Sequence, residues 1–131
     1  MAVYVAYLRK ARRGYSIDFY DFPGCASAGG TVDEAVAGAH EALALHIDGM
    51  VEDGDRVPDP SPLREVLAAP EAKGLLTAVA LQIEVPPAKV RRVNITLPET
   101  TLRRVDDYAR RHGETRSGLL ARAAEHLLEA K

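Results

Sequence analysis

Two adjacent prolines, Pro86-Pro87, divide this chain of 131 residues into a longer acidic part and a shorter basic one. Neither proline can donate a ladder hydrogen bond, and both hold the backbone near extended geometry. A single sheet or helix therefore cannot run through them. The break predicts a Pro-rich linker at 86–90 between domains at 1–85 and 91–131. Charge follows the same division. Residues 1–88 carry 7 basic and 13 acidic side chains, and residues 89–131 carry 10 basic and 6 acidic. The modest net charge of −2 thus hides two parts of opposite sign, a pattern expected of modules with different partners.

With 47% hydrophobic and 27% charged residues, the composition is that of a folded globular protein and excludes general disorder. No apolar run approaches the roughly 18–20 residues of a membrane span, so no membrane association is expected. Met1-Ala2-Val3-Tyr4 lacks the basic-then-apolar opening of a signal peptide. Cys25 is the single cysteine, so neither an internal disulfide nor a thiolate metal cage is available, and a reducing cytoplasm is the expected location.

The first part reads as strands and one long helix. Val3 to Leu8 is β-branched or aromatic on both faces, as in a central strand. Ala11 to Gly14 makes a turn, and Tyr15 to Phe22 alternates in the manner of a second strand. Pro23-Gly24 bends the chain, Cys25 to Ala28 forms a short third strand, and Gly29-Gly30 ends it. Thr31-Val32-Asp33-Glu34 is a capping box. Behind it Val32, Ala35, Val36, Ala39, Leu43, His46, Ile47 and Met50 repeat every three or four residues, predicting an amphipathic helix that ends near Asp53-Gly54. Pro58, Pro60 and Pro62 interrupt regular structure, and a short helix follows Ser61-Pro62 through Ala69. Val79, Leu81, Ile83 and Val85 alternate with polar or small residues in a last strand. The expected fold is α+β, in the order β-β-β-α-β, with the helix across one face of an antiparallel sheet.

The second part, 91–131, has 41 residues, near the lower limit of about 40 for a chain that folds unaided. Val93, Ile95 and Leu97 alternate with Arg92, Asn94 and Thr96, predicting one strand. Pro98-Glu99 opens a helix with Leu102, Val105, Tyr108 and Ala109 on its inner face, ending at His112-Gly113. Thr115 caps a second helix with Leu119, Leu120, Ala123, Ala124 and Leu127 inside. A lone strand leaves its ladder groups unpaired. A second copy would supply an antiparallel partner and close a shared core over Val93, Ile95 and Leu97, which makes a homodimer the expected state and leaves a dimer of dimers open. The opposite face of that ribbon would present Arg92, Asn94 and Thr96, side chains that match guanine, adenine and thymine edges in a major groove wide enough for a two-stranded ribbon. The helix start Thr115-Arg116-Ser117, together with Lys89 and Arg91, suits backbone phosphate.

These residues carry a family resemblance. Val93-Asn94-Ile95-Thr96-Leu97-Pro98-Glu99 with the Arg116-Ser117 helix start resembles a ribbon-helix-helix DNA-binding domain. The hairpin, Asp21-Phe22-Pro23-Gly24-Cys25, and Gly30-Thr31 leading to Glu34-Ala35 resemble the HicB antitoxin domain. Together they cover nearly the whole chain. The resemblance implies a partial RNase-H-like fold in the first module, binding to a small mRNA-cleaving toxin of HicA type, masking of that toxin's active site, and repression of the protein's own operon as a type II toxin–antitoxin system. A toxin that binds RNA is expected to be basic, in agreement with the acidic first part. The Asp21-Phe22 corner and the acidic positions Glu41 and Asp48 are the candidate toxin contacts.

Enzymatic chemistry finds little support, and no catalytic residue, metal site or cofactor is expected. Two-metal phosphodiester cleavage needs converging carboxylates, and the candidates Asp18, Asp21, Glu34 and Glu41 leave the first strand without any. His40 and His46 sit roughly 240° apart around a helix and do not face one metal. His112 and His126 read as surface or packed residues, and Cys25 as a small strand residue. The alternative from another class is a metabolite-responsive ribbon-helix-helix repressor, which would require convergent polar groups in the first module's core.

Overall fold

In the computed structural model, which describes residues 1–130, β1 (Ala2–Ala11), β2 (Gly14–Phe19) and β3 (Ala26–Gly29) are followed by α1 (Val32–Asp53), α2 (Leu63–Ala68), a 3₁₀ turn (Pro70–Ala72) and β4 (Thr77–Ile83). The helices α3 (Glu99–Arg111) and α4 (Arg116–Glu129) complete the chain. It divides into two compact units, Met1–Val90 and Arg91–Lys131.

The first unit holds a four-stranded antiparallel sheet in the order β3-β2-β1-β4. The apolar character of β1 on both faces accounts for its inner position: Tyr4, Ala6 and Leu8 face α1, whereas Tyr7 belongs to a separate cluster on the opposite side. The α1 side forms the main core, where Ile17, Phe19, Phe22, Leu43, Ile47, Leu81 and Ile83 are buried. The capping box forms as the sequence predicts. Thr31 Oγ1 accepts from the Glu34 N–H at 3.1 Å, and the Glu34 carboxylate reaches back to the Gly30 N–H at 3.0 Å. At the other end Gly54 adopts φ +78°, and the following Asp55 N–H bonds the Met50 carbonyl at 2.8 Å, a Schellman closure. Glycine also permits the close seating of α1 on β3: a Cβ on Gly29 would lie 2.5 Å from the Ala35 nitrogen, and one on Gly38 2.5 Å from Ser27 Oγ.

The structure adds a second layer that the sequence pattern left out. Tyr7 points away from α1, and an aromatic of that size must be covered. Val66 of α2 and Ala72 of the 3₁₀ turn cover it, and its hydroxyl donates to the Val66 carbonyl at 2.6 Å. The segment containing Pro58, Pro60 and Pro62 is thus a strap across the sheet, held also by Tyr4 Oη donating to the Pro58 carbonyl at 2.6 Å. β2 stops at Phe19 rather than Phe22, because Asp21 turns its carboxylate to the Ser61 N–H (3.0 Å) and hydroxyl (2.5 Å) of this strap. Cys25 precedes β3 and is buried, and that burial raises its thiol pKa.

In the second unit Thr115 caps α4 through the Gly118 N–H at 3.0 Å. Arg116 of α4 pairs with Asp106 of α3 at 2.8 Å, and Arg122 of α4 with Glu114 of the connecting turn at 3.0 Å. Ala109 is the one buried residue of α3, and α4 buries none. Residues 84–98 carry no helix or strand. The strand expected over 93–97 is thus not formed in the single chain, where a strand without a ladder partner would leave its backbone groups unpaired.

Candidate nucleic-acid and protein interfaces

The side chains expected to read bases, Arg92, Asn94 and Thr96, are all exposed. Val93 and Ile95, expected in a core shared with a second copy, are 75% and 61% exposed in the single chain, and Leu97 is half-buried. In the same unit α3 and α4 leave an open groove whose apolar lining is Val105, Tyr108, Leu119, Leu120 and Ala123. Leu127 and Leu128 are exposed further along α4. This small unit thus displays apolar side chains that an isolated domain would bury.

The expected phosphate contacts divide. Arg91 and Ser117 are exposed, and Thr115 serves as the α4 cap. The first-turn N–H groups of α4 at Arg116 and Ser117 lack intrahelical partners by helix geometry and point where an anion would sit. The Arg116 guanidinium, in contrast, makes a bidentate contact with Asp106, both bonds at 2.8 Å. Its hydrogen bonds hold the Asp106 carboxyl below its usual pKa and raise that of Arg116. Arg116 is therefore first a tie between α3 and α4, and any phosphate must share it with a carboxylate. Lys89 belongs to the first unit, where its ammonium lies 2.8 Å from Glu52.

One of the four candidate toxin contacts is corrected, and a second is engaged within the fold. Phe22 is 1% exposed, with ring centroids 4.8 Å from Tyr4, 6.3 Å from Phe19 and 5.7 Å from His46, so no surface partner reaches it. Asp21 is the strap anchor described above, with both oxygens engaged by Ser61. Glu41 and Asp48 remain exposed on α1. Seven residues apart, they share one helix face, and Leu45 lies between them at 67% exposure. Leu45 went unnoticed in the sequence, although its signal was there: a leucine standing off the apolar stripe of an amphipathic helix.

The other candidate groups are occupied structurally. Arg9 binds Asp18 at 2.7 Å, the Lys73 carbonyl at 2.9 Å and the Glu71 carbonyl, clamping β1 and β2 to the turn before β4. The four candidate carboxylates for metal chemistry lie apart: Asp18 on Arg9, Asp21 on Ser61, Glu34 in the α1 cap, and Glu41 in solvent. His40 contacts the Gln82 carbonyl at 3.0 Å, and His46 packs edge-on against Phe22. His112 stacks on Tyr108, centroids 3.9 Å apart.

A sequence model of the HicB-like antitoxins of bacterial toxin–antitoxin systems matches residues 3–124. Antitoxin HicB of Escherichia coli K12 is 35% identical over 85 residues, covering 60% of this chain and 62% of its own length. The crystal structure of antitoxin HicB from Burkholderia pseudomallei superposes with a TM-score of 0.58 at 31% identity, over 95% of this chain and 96% of that one. A chain of a solved HicA3–HicB3 toxin–antitoxin complex matches at 27% identity and a TM-score of 0.51, over 65% of this chain and 99% of that one.

Proposed function

The chain belongs to the HicB-like antitoxin family of bacterial toxin–antitoxin systems, and from that membership we propose that its first unit binds and masks a small, basic, mRNA-cleaving toxin of HicA type while its second unit represses its own operon. In this reading the β-β-β-α-β module is a partial RNase-H-like fold that has no catalytic role. Residues 91–131 form a ribbon-helix-helix dimer, the two parts are functional domains joined by residues 86–90, and the protein works in the cytoplasm.

The observation that carries the proposal is the match between charge and architecture. The acidic excess of residues 1–88 lies in the unit with a complete core, and residues 91–131, with 9 basic and 6 acidic side chains, make the unit without one. An acidic face suits a protein that itself binds RNA, because opposite potentials steer encounter and disfavour wrong partners. The outer face of α1, with Leu45 flanked by Glu41 and Asp48, has the apolar centre and charged rim of a protein interface. In the second unit, pairing of two copies would hide Val93, Ile95 and Leu97 and the groove between α3 and α4. Arg92, Asn94 and Thr96 would then enter the major groove. The α4 amide ends and Arg91 would engage phosphate.

The core of the first unit buries no polar or charged residue among those described, which favours a toxin over a small metabolite as its partner. The test has two arms. Adding the full chain to a HicA-type toxin in an RNA-cleavage assay is expected to stop cleavage at equimolar protein, and footprinting on DNA upstream of its own gene is expected to show a protected site. Cleavage that continues at excess protein contradicts the first role, and an unprotected upstream region contradicts the second.

A further inference from the structure

The first unit is acidic as a whole, but its charge is unevenly spread. Five of the seven basic side chains of residues 1–88, Arg9, Lys10, Arg12, Arg13 and Lys73, collect at one end of the sheet. β1 and β2 meet there in a hairpin whose last ladder pair is Ala11–Gly14, with Arg12 and Arg13 as the two-residue loop. The hairpin outruns its neighbours. β4 pairs with β1 no further than Leu8, and β3 with β2 no further than Tyr15. Its tip therefore projects beyond the sheet. Gly14 has φ +115°, and a Cβ there would strike the Gly29 carbonyl oxygen, so the tip sits tightly against the end of β3.

The cations of this tip are open to a partner. Lys10, Arg12 and Arg13 are exposed. The Lys10 ammonium stands 4.6 Å from the centre of the Tyr15 ring, a contact that leaves its N–H groups to solvent. Neither Arg12 nor Arg13 has a carboxylate partner among the described residues. Four carboxylates share this end. Asp18 is bound by Arg9 at 2.7 Å and Glu34 by the Gly30 N–H at 3.0 Å, which leaves Asp33 and Glu71. The remainder of residues 1–88 holds two cations, Arg56 and Arg64, among nine carboxylates.

We propose that this hairpin tip is a second nucleic-acid contact, by which the first unit grips the phosphate backbone of duplex DNA through Lys10, Arg12 and Arg13. Three cations on a projecting hairpin suit a polyanion, and the arginine fork fits phosphate oxygens. Residues 10–14, Lys-Ala-Arg-Arg-Gly, include no amide or hydroxyl side chain, so the contact is with backbone and carries no sequence preference. Charge sets the orientation as well: the rest of the unit repels a polyanion, and this end is the side that can approach one. A duplex suits the tip better than unpaired bases do. Tyr15, the aromatic beside it, packs on the core and carries Lys10 over its ring, so no stacking platform is offered. Supply favours DNA too. On the proposed reading the tail already holds the chain beside it, at a high effective concentration. Phosphates recur every roughly 1.7 Å along the duplex axis, so a backbone contact needs no fixed register with the tail. The supply argument alone rests on the proposed tail contact; the charge pattern of the tip does not.

Fluorescence anisotropy of the full chain tests the contact on two labelled duplexes, one from upstream of its own gene and one of random sequence, between about 50 and 200 mM salt. Arg12→Gln is expected to weaken binding to both duplexes by the same factor. It is also expected to reduce the slope of log affinity against log salt by about 0.9, and replacing Lys10, Arg12 and Arg13 together by up to about 2.7. Arg64→Gln removes the same charge elsewhere on the unit and is expected to leave the slope unchanged, all with native circular dichroism. A triple variant with the parental slope overturns the proposal. So does an Arg64→Gln chain that loses as much as Arg12→Gln, because net charge alone would then explain the effect. If the parent shows no preference for the upstream duplex while Arg12→Gln still lowers the slope on both, the tip contact stands and the tail reading fails. A parent that binds neither duplex at low salt overturns both. A labelled single-stranded RNA that the parent binds more tightly than the random duplex, and the triple variant releases, overturns DNA as the occupant.

Discussion

Replacing Phe22 by alanine separates a core role from a contact role at the Asp21-Phe22 corner. The ring is buried to 1% exposure and meets Tyr4, Phe19 and His46 edge-on. Truncating a buried phenylalanine costs about 3–5 kcal/mol, from lost transfer free energy and the cavity left behind. The aromatic contacts go with the ring, so the upper half of that range is expected. A domain of this size has only about 5–15 kcal/mol in total. Each kcal/mol moves the midpoint by about 4–8 °C in a domain of 60–100 residues, so Phe22→Ala should lower Tm by more than about 16 °C. Thermal unfolding followed by circular dichroism measures this directly. Toxin affinity measured well below the new midpoint should change by less than about threefold, since a few tenths of a kcal/mol is all a buried residue adds to a surface it does not form. A variant with parental Tm that has lost toxin binding would refute the burial argument and return Phe22 to the interface.

Other consequences concern the two interfaces and the helix tie. Glu41→Lys with Asp48→Lys reverses the charge on the outer face of α1 and should slow toxin association by about tenfold or more at low salt, with little change in Tm; stopped-flow binding checks it, and parental rates would move the interface elsewhere. Arg92→Ala or Asn94→Ala should each cost about 1–3 kcal/mol at one base position and flatten preference there, which footprinting on single-base operator variants would reveal; unaltered selectivity contradicts the assignment. The Asp106 carboxyl is held below its usual pKa by its hydrogen bonds to Arg116. A depressed acid stabilises the folded state fully above its unfolded pKa of about 3.9, and that contribution fades as pH falls through the folded value. Helicity of the second unit should thus fall as the pH drops below about 4, and Asp106→Asn should weaken the α3–α4 tie at neutral pH while removing its share of that acid slope. An acid titration by circular dichroism that is identical for parent and variant would contradict the tie.

What the sequence disclosed and what it hid follow a physical division. Local patterns were readable: the Thr31 cap, the apolar stripe of α1, the two-sided apolar character that puts β1 inside the sheet, and the starts of α3 and α4 all act within a few residues of one another. The cover over Tyr7 was not readable, because it comes from residues 59 positions away behind three prolines that erase periodicity. Phe22 was misplaced for a related reason: continuing the alternation of β2 through residue 22 ignores the pull of Ser61 on Asp21, a contact across 40 residues. Arg116 and Lys89 looked like free cations because their carboxylate partners lie 10 and 37 residues away. On the proposed reading, the base-reading face of 91–97 would involve a partner strand from another copy, and no pattern within one chain places that strand.

On the proposed reading the first unit alone is sufficient for toxin recognition. Titration calorimetry of a HicA-type toxin into residues 1–90, beside the full chain, tests this directly. Affinities within about tenfold of one another, a difference of at most about 1.4 kcal/mol, are predicted for the two. Loss of measurable binding by residues 1–90, with their circular dichroism native, would contradict it.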